Sequence, residues 1–463
     1  MSFNSAATSN ASTDLYRLNS RPLRVFEFFS GVGGVRFGLE QANRQLIALG
    51  LPPAFEVVWA NQFEPGCKHQ HAARIYEAQW GHAPVNEDIC EVLKSEVALA
   101  AMHALEPDIL VAGFPCQDYS VARPTSQSEG LVGKKGVLYW EIYRLLEFCI
   151  AAGKPIQKVL LENVSRLIIS PSACPGRDFA IILSSLQKLG YAVAWQVVNS
   201  GDFGFAQRRR RIFIVAVHES SPEWQAWQRA LAAPDAWLIN ESPLARGLPV
   251  RSEGKLKTFS LGADVLDTQS SYLPIKHGKE GKELKSLFEN AGLCMGGQVW
   301  TMSTGAQKFS DYSRFVGQVA PLTLGDVVGK TQDVPEEFFL EDSSLERWEF
   351  LKGAKAIPRV SATGFAYPYK EGPMAFPDRL DKPSRTVITS EGGSGASRTR
   401  HAVMHTDGRL RRLIPEELEE LNGFPRGFTE LAGVSDIKRA FVMGNALVTG
   451  VVACIGMALA GAI

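Results

Sequence analysis

One thiol, one carboxylate and a run of guanidinium groups are the residues of this chain best suited to chemistry. The thiol is Cys116, in the stretch Asp108-Ile-Leu-Val-Ala-Gly-Phe-Pro-Cys-Gln-Asp-Tyr-Ser120. The branched apolar run at 109–112 reads as a buried strand, ended by Gly113 and Pro115 in a rigid turn. A Cys placed there sits at the carboxyl end of a strand, where open α/β sheets hold their ligands. A thiolate adds readily to an electrophilic carbon and leaves readily again, so it suits covalent catalysis. A lone Cys is also commonly a small buried hydrophobe, and the strand alone does not decide between the two.

The carboxylate is Glu162, in Val159-Leu-Leu-Glu-Asn-Val164. An acid that ends an apolar strand inside a ligand cleft is a candidate proton donor, although Glu-Asn pairs also cap helices. The guanidinium groups are Gln207-Arg-Arg-Arg-Arg211, leading into a strand at 212–217. Alternation along an extended chain would put Arg209 and Arg211 on one face and Arg208 and Arg210 on the other. A solvated basic patch is the ordinary explanation of a charge run; an inward-facing pair would bind phosphate or a base edge. Upstream, Val25-Phe-Glu-Phe-Phe-Ser-Gly-Val-Gly-Gly34 is a strand running into a glycine turn, with a helix at 35–42. Such a turn lets backbone N–H groups approach a ligand. Arg36 stands where the third glycine of GxGxxG would be, which disfavours a dinucleotide site.

The elements that must position these groups alternate from residue 22 to 217. Residues 57–60 and 192–198 read as strands. Leu138, Ile142, Leu145, Leu146 and Cys149 recur at helical spacing, as do Phe179, Ile182, Leu183, Leu186 and Leu189, with Gly190 as the cap. The pattern implies an α/β fold with a doubly wound, mostly parallel sheet and right-handed crossovers. From 218 to 380 it dissolves into short pieces such as a helix at 223–231. That region is punctuated by Gly and Pro, with Lys255, Lys257, Lys276, Lys279 and Lys282 and the aromatics Trp300, Tyr312 and Phe315. Order returns near 381, where Pro415 opens a helix favoured by Glu416 and Glu417 and closed by Gly423. The run 391–401 reads as a loop presenting Arg398 and Arg400 to phosphate or to solvent.

Composition sets bounds without choosing a function. With 463 residues, the chain holds two to four domains at ~150 residues each. Its 49 basic and 49 acidic side chains balance, so any nucleic-acid surface is local. Seven Cys lack CxxC spacing, which gives neither a metal nor a disulfide framework and suits a reducing cytosol. Residues 1–20 read as a loose polar tail, with no signal peptide. The apolar stretch 446–463 is short and lacks basic anchors, so it reads as a buried helix packed on the sheet and not a membrane span.

Taken together and in this order, these residues closely resemble the bacterial cytosine carbon-5 DNA methyltransferase family. Asn61-Gln-Phe-Glu64, Glu87-Asp-Ile89, Lys135-Gly-Val-Leu-Tyr139, Leu421-Asn-Gly-Phe-Pro425 and Gly444-Asn-Ala-Leu-Val448 extend the likeness. It covers residues 22–217 and 381–463. The resemblance implies a class I methyltransferase, Rossmann-like, with a flexible tail at 1–20 and a catalytic and cofactor-binding domain at 21–217. A smaller, irregular target-recognition domain would follow at 218–425, and 426–463 would return to the catalytic domain.

It further implies a DNA (cytosine-5)-methyltransferase that flips a cytosine out of duplex DNA and attacks carbon 6 with Cys116. Glu162 would bond nitrogen 3, Arg211 the cytosine oxygen, and Arg209 would position the loop and nucleophile. The loop 117–135 would close as a lid, with Ser126 or Gln127 filling the vacated space. The implied cofactor is S-adenosyl-L-methionine, released as S-adenosyl-L-homocysteine. Phe29, Ser30, Gly31, Val32, Gly33 and Gly34 would surround its methionine part, Phe63 its adenine face, Asp88 and Ile89 its amino edge. Asn445 and Ala446 would close over its carboxylate end, and Asn61, Gln62, Pro115 and Leu138 complete the set. The chain departs from the family pattern at Glu27, usually Asp, at Gln62, usually a ribose-binding Glu, and at Ala446, usually Ser.

The implied setting is a cytoplasmic monomer associated with nucleoid DNA, with no membrane, serving restriction-modification or phage defence beside cognate restriction or defence proteins. A transfer-RNA cytosine methyltransferase and a non-catalytic DNA-binding regulator are the alternatives. The long middle region favours duplex DNA, since base-edge reading needs surface.

Overall fold

The computed structural model describes residues 21–114, 138–171, 174–261, 275–276 (backbone only), 285–308, 320–360, 364 and 366–463. Pro115, Cys116, Ser126, Gln127, Lys135 and the rest of 115–137 lie outside the described residues, as do Lys279, Lys282, Tyr312 and Phe315.

The chain forms two compact units. The first comprises residues 1–203, 210–319 and 449–463, the second 204–209 and 320–448. The first unit is built on a nine-stranded sheet: β1 (Leu23–Phe28), β2 (Phe55–Ala60), β3 (Ile109–Gly113), β4 (Lys158–Val164), β5 (Tyr191–Asn199), β6 (Arg210–His218), β7 (Lys257–Ser260), β8 (Ala291–Met295) and β9 (Gln298–Met302). Their spatial order is β2-β1-β3-β4-β6-β5-β8-β9-β7. The first four run parallel, and each later strand joins antiparallel to its neighbour. Following those pairings, six of the nine strands point one way.

The central strands are near-continuous apolar runs because both faces of the sheet are buried. On one face Phe26, Phe28, Leu110, Ala112, Leu161, Trp195 and Ile214 share a core with two helices. Those helices, Leu138–Ala151 and Arg177–Lys188, are the two expected from apolar spacing. On the other face Val25, Ile109, Val111, Leu160 and Val215 are equally buried.

The apolar stretch after 446 enters the first unit as the helix Thr449–Leu459, which packs on the helix Gly34–Ala48. Glycine permits the close approach: a Cβ on Gly38 would lie 2.6 Å from the Val452 side chain. Taken with the helix Asp436–Asn445 before it, this stretch is long and apolar enough to cross a membrane, yet 72% of that window is buried inside the protein.

Three strands from the stretch expected in a separate smaller domain, β7, β8 and β9, instead lengthen the sheet of the first unit. They are short, so no periodicity announces them. Gly292 is required in β8 because a Cβ there would lie 2.2 Å from the Trp195 ring. Gly296 and Gly297, with φ of 58° and 76°, make the two-residue hairpin turn into β9.

The second unit holds the helices Asp342–Lys352, Pro415–Leu421 and Asp436–Asn445 and a two-stranded ribbon, β10 (Lys355–Val360) and β11 (Ala366–Glu371). Buried ion pairs organise it. Arg411 and Glu417, both without exposure, pair at 2.7 Å, and Glu417 also caps its helix by accepting the Ile414 N–H.

Candidate active site

The glycine turn after β1 is wound tightly by its backbone. Phe29 has a φ of 56°, and Gly31 and Gly33 have 57° and 80°. Ser30 N–H donates to the Asn61 carbonyl at 2.9 Å, and Gly33 N–H to the Ser30 carbonyl at 2.7 Å. Gly33 is sterically obligatory, since a Cβ would fall 2.2 Å from the Trp80 ring. Gly31 is different: nothing lies within 4 Å of where its Cβ would be. Beside it the buried Ser30 Oγ has no hydrogen-bond partner among the described residues. Open space and an unsatisfied hydroxyl at one turn fit a polar ligand such as the amino-acid part of a methyl donor. Val32 and Gly34 are buried behind this turn.

Under the turn lies Glu27, wholly buried. Its Oε1 accepts the Arg36 N–H at 3.0 Å. Burial pushes the Glu27 carboxyl up to about 7, against the opposing pull of Arg36 and Tyr76. The Arg36 guanidinium reaches Glu40 at 3.1 Å and the Tyr76 hydroxyl at 2.9 Å, and it stacks 4.7 Å above the Trp80 ring. The longer acid at position 27 is thus accommodated within a closed polar cluster.

The segments Asn61–Phe63 and Asp88–Ile89 are held in place by hydrogen bonds to the surrounding backbone. Asn61, 1% exposed, donates from Nδ2 to the carbonyls of Val85 and Glu87, both at 2.9 Å. Gln62 Oε1 accepts the Gly31 N–H at 2.7 Å, so the oxygen expected at a ribose hydroxyl braces the glycine turn. Asp88 accepts the Cys90 N–H at 2.9 Å and starts the short helix Ile89–Val92, while the Ile89 side chain is buried in the core. Phe63 and Leu138 are half-buried.

At the other strand ends, β3 and β4 place Gly113 directly beside Glu162. Arg211, early in β6 and opposite Val164, holds Glu162 with Nε 2.9 Å from Oε1. The two side chains keep 18% and 15% of their exposure, so the pair is desolvated in part yet reachable. Asn163 points the other way and donates from Nδ2 to the Phe114 carbonyl at 3.3 Å, fixing the last described residue before Pro115. Sequence reasoning had passed over Asn163; its amide next to the acid at a strand end was the available signal.

Arg209 does not join this pair. β6 begins at Arg210, so strand alternation does not extend back to 209. Residues 207–209 belong to the second unit, where Gln207 bridges Ser384. Arg209, 3% exposed, donates to the carbonyls of Val387 at 2.9 Å and Gly444 at 2.8 Å. The buried Gln207 donates to Asn422 Oδ1 at 2.9 Å and accepts the Val387 N–H at 2.9 Å. In turn, Asn422 donates to the Met443 carbonyl at 3.0 Å. This hub welds the segment before β6 to the Leu421–Pro425 and Gly444–Val448 motifs. Gly444 is needed there because a Cβ would lie 2.2 Å from the Thr389 nitrogen. Asn445 is exposed and Ala446 half-buried at the end of that helix. Arg398 and Arg400, expected to face phosphate or solvent, are turned onto backbone. Arg398 donates to the carbonyl of Gly372 at 2.6 Å and Arg400 to that of Ser390 at 2.6 Å.

A glycine turn after β1 and an acid in β4 on such a sheet, with Cys116 in the sequence just beyond β3, define a class I methyltransferase. The chain belongs to the C-5 cytosine-specific DNA methylase family, whose sequence model matches residues 23–460. It is a DNA cytosine-5 methyltransferase. It is similar to the Type II methyltransferase M.Sau3AI of Staphylococcus aureus, with 35% identity over 94% of each chain. It also resembles the Type II methyltransferase M.NgoBI of Neisseria gonorrhoeae, with 34% identity over 43% of this chain and 52% of that one. Among solved structures it shares its fold with the Entamoeba histolytica methyltransferase EhMeth, at a TM-score of 0.54, 15% identity and coverage of 95% of this chain and 98% of that one. The Schizosaccharomyces pombe Dnmt2 methyltransferase gives a TM-score of 0.53 at 14% identity, covering 95% and 98%.

Proposed function

We propose that the enzyme methylates a cytosine flipped out of a specific site in duplex DNA, as the modifying partner of a restriction or phage-defence system. The observation that carries the chemistry is the Glu162–Arg211 pair beside the end of β3. Cys116, two residues beyond Phe114, adds its thiolate to carbon 6 of the ring, which makes carbon 5 nucleophilic. Negative charge then spreads to nitrogen 3 and oxygen 2. Glu162 shares a proton with nitrogen 3. Arg211 spends Nε on Glu162 and Nη1 on the Arg210 carbonyl, and Nη2 has no partner among the described residues, so it serves oxygen 2.

When bound, S-adenosyl-L-methionine supplies the electrophilic methyl group. Gly31 and Ser30 would give room and a hydroxyl to its amino-acid end, Phe63 would offer a ring face to the adenine, and Asp88 would meet its amino edge. Transfer of the carbon-5 proton to water, with the electrons of that bond re-forming the ring double bond as the bond to Cys116 breaks, restores the thiolate. Arg209 acts through the fold of the second unit, which we assign to target recognition.

The whole-length likeness to a Type II methyltransferase supports the restriction-modification setting and a cytoplasmic site of action on nucleoid DNA. We propose a monomer, since methylation of one flipped base needs one active site. The RNA and non-catalytic readings are not favoured by a DNA methylase family match.

The test is bisulfite sequencing of duplex DNA treated with purified protein and S-adenosylmethionine. Carbon-5 methylation at one recurrent site is the expected outcome, and unmethylated DNA with methylated transfer RNA would overturn it.

A further inference from the structure

The second unit carries one element that the described residues leave almost uncovered. In the ribbon of β10 and β11, every residue from Ala356 to Val360 and from Ala366 to Lys370 is exposed. Two-stranded ribbons without a covering layer are marginal in water. Among the described residues this one is tied at its root, where Lys355 meets Glu371 at 3.6 Å and Arg398 meets the same carboxylate at 3.4 Å. Its register pairs Ile357 with Tyr369, Pro358 with Pro368 and Arg359 with Tyr367.

Alternation then puts Ile357, Arg359, Tyr367 and Tyr369 on one face. Both tyrosines are 38% exposed, a costly use of ring surface unless something covers them. The Arg359 guanidinium lies 3.9 Å over the Tyr369 ring, which holds its planar fork in place. Two features select the covering partner. Pro358 and Pro368 occupy the middle of both strands, so neither edge offers a complete row of donors for another protein strand. The charge left after the Lys355–Glu371 pairing is positive, from Arg359 and Lys370. A polyanion fits that balance, and a two-stranded ribbon is of a size to enter the major groove of B-form DNA.

We infer that the ribbon β10–β11 enters the major groove and that Arg359, braced on Tyr369, reads a base edge of the recognition site, with Tyr367 and Ile357 packing on its neighbours. This deepens the proposed function and rests on it. The enzyme thereby acquires a named specificity determinant in a unit where Arg209, Arg398 and Arg400 are committed to backbone carbonyls.

The test uses the full chain and a library of random duplex DNA, with methylation mapped by bisulfite sequencing for wild type, Arg359→Ala, Arg359→Lys and Tyr369→Ala. Wild type defines the site. Arg359→Ala is expected to relax the preference at one base pair by roughly 10- to 100-fold. Arg359→Lys should relax it in part, because an ammonium lacks the bidentate fork, and Tyr369→Ala should weaken the same position. Since both side chains are exposed, thermal midpoints and S-adenosylmethionine affinity should match wild type. An unchanged methylation profile in Arg359→Ala overturns the inference. So does a uniform loss of methylation across all sites with a shallower salt dependence, which would make Arg359 a phosphate contact. Failure of wild type to methylate cytosine in any duplex would instead overturn the proposed function.

Discussion

Arg211 holds Glu162 at 2.9 Å across adjacent antiparallel strands, and Gly113, three residues before Cys116, is the register neighbour of that same glutamate. One hydrogen-bonded ladder therefore sets the positions of the acid, the cation and the strand end from which the chain leads to Cys116. Glu162→Ala is expected to lower the single-turnover rate by about 10²–10³-fold, the scale of a lost oxyanion-type donor. Glu162→Gln should keep part of the rate, because its amide still donates to nitrogen 3. Arg211→Ala should fall with Glu162→Ala, and the double variant should lose little more, because the two act as a unit. Full additivity in rapid-quench assays would show that they act separately.

For the nucleophile, Cys116→Ser should abolish methyl transfer while leaving duplex binding intact, since a hydroxyl at neutral pH lacks thiolate character. DNA carrying 5-fluorocytosine should trap the wild type covalently and leave Cys116→Ser free. Mass spectrometry of the protein–DNA adduct reads both results. A trapped Cys116→Ser variant would assign the nucleophile elsewhere.

Arg209 and Arg211 should differ in kind. Arg209→Ala strands the Val387 and Gly444 carbonyls, at about 1–3 kcal/mol for each buried group. A lowered thermal midpoint is therefore expected, whereas Arg211→Ala should melt like wild type. An Arg209→Ala protein of native stability but no turnover would return Arg209 to the reaction itself.

Glu27 gives stability a pH dependence of defined sign. Its folded pKa, about 7, lies above the ordinary 4.5, so the folded chain holds the proton longer than the unfolded one. The contribution is full below about pH 4.5 and is lost as pH rises through 7. A displacement of that size corresponds to about 3 kcal/mol at a wholly buried site. Glu27→Gln, which cannot ionise, should melt at a higher temperature relative to wild type at pH 8 than at pH 5. Parallel pH profiles for the two proteins would show that Glu27 does not titrate in this range.

What was legible in the sequence was whatever repeats or stands at the end of an apolar run. Glu162 and the glycine turn are of that kind, because a buried parallel strand must be continuously apolar and its end is where polar groups resume. Arg209 was misplaced because four identical side chains carry no mark of where β6 begins. The pairing of 207–209 with 384–387, distant in sequence, decides it. Gln62 looked like a ligand contact, while its partner, the Gly31 N–H, depends on a turn conformation that composition does not encode. The β8–β9 hairpin escaped notice because Gly292, Gly296 and Gly297 lower strand propensity in service of Trp195 and of the turn.

The close packing of Gly38 on Val452 joins a helix made early in synthesis to one made more than 400 residues later. On the ribosome, the outer face of the helix Gly34–Ala48 stays greasy and unshielded until residues 449–459 emerge. A chain stopped by a premature codon upstream of that segment leaves this seam open and offers itself to chaperones and proteases.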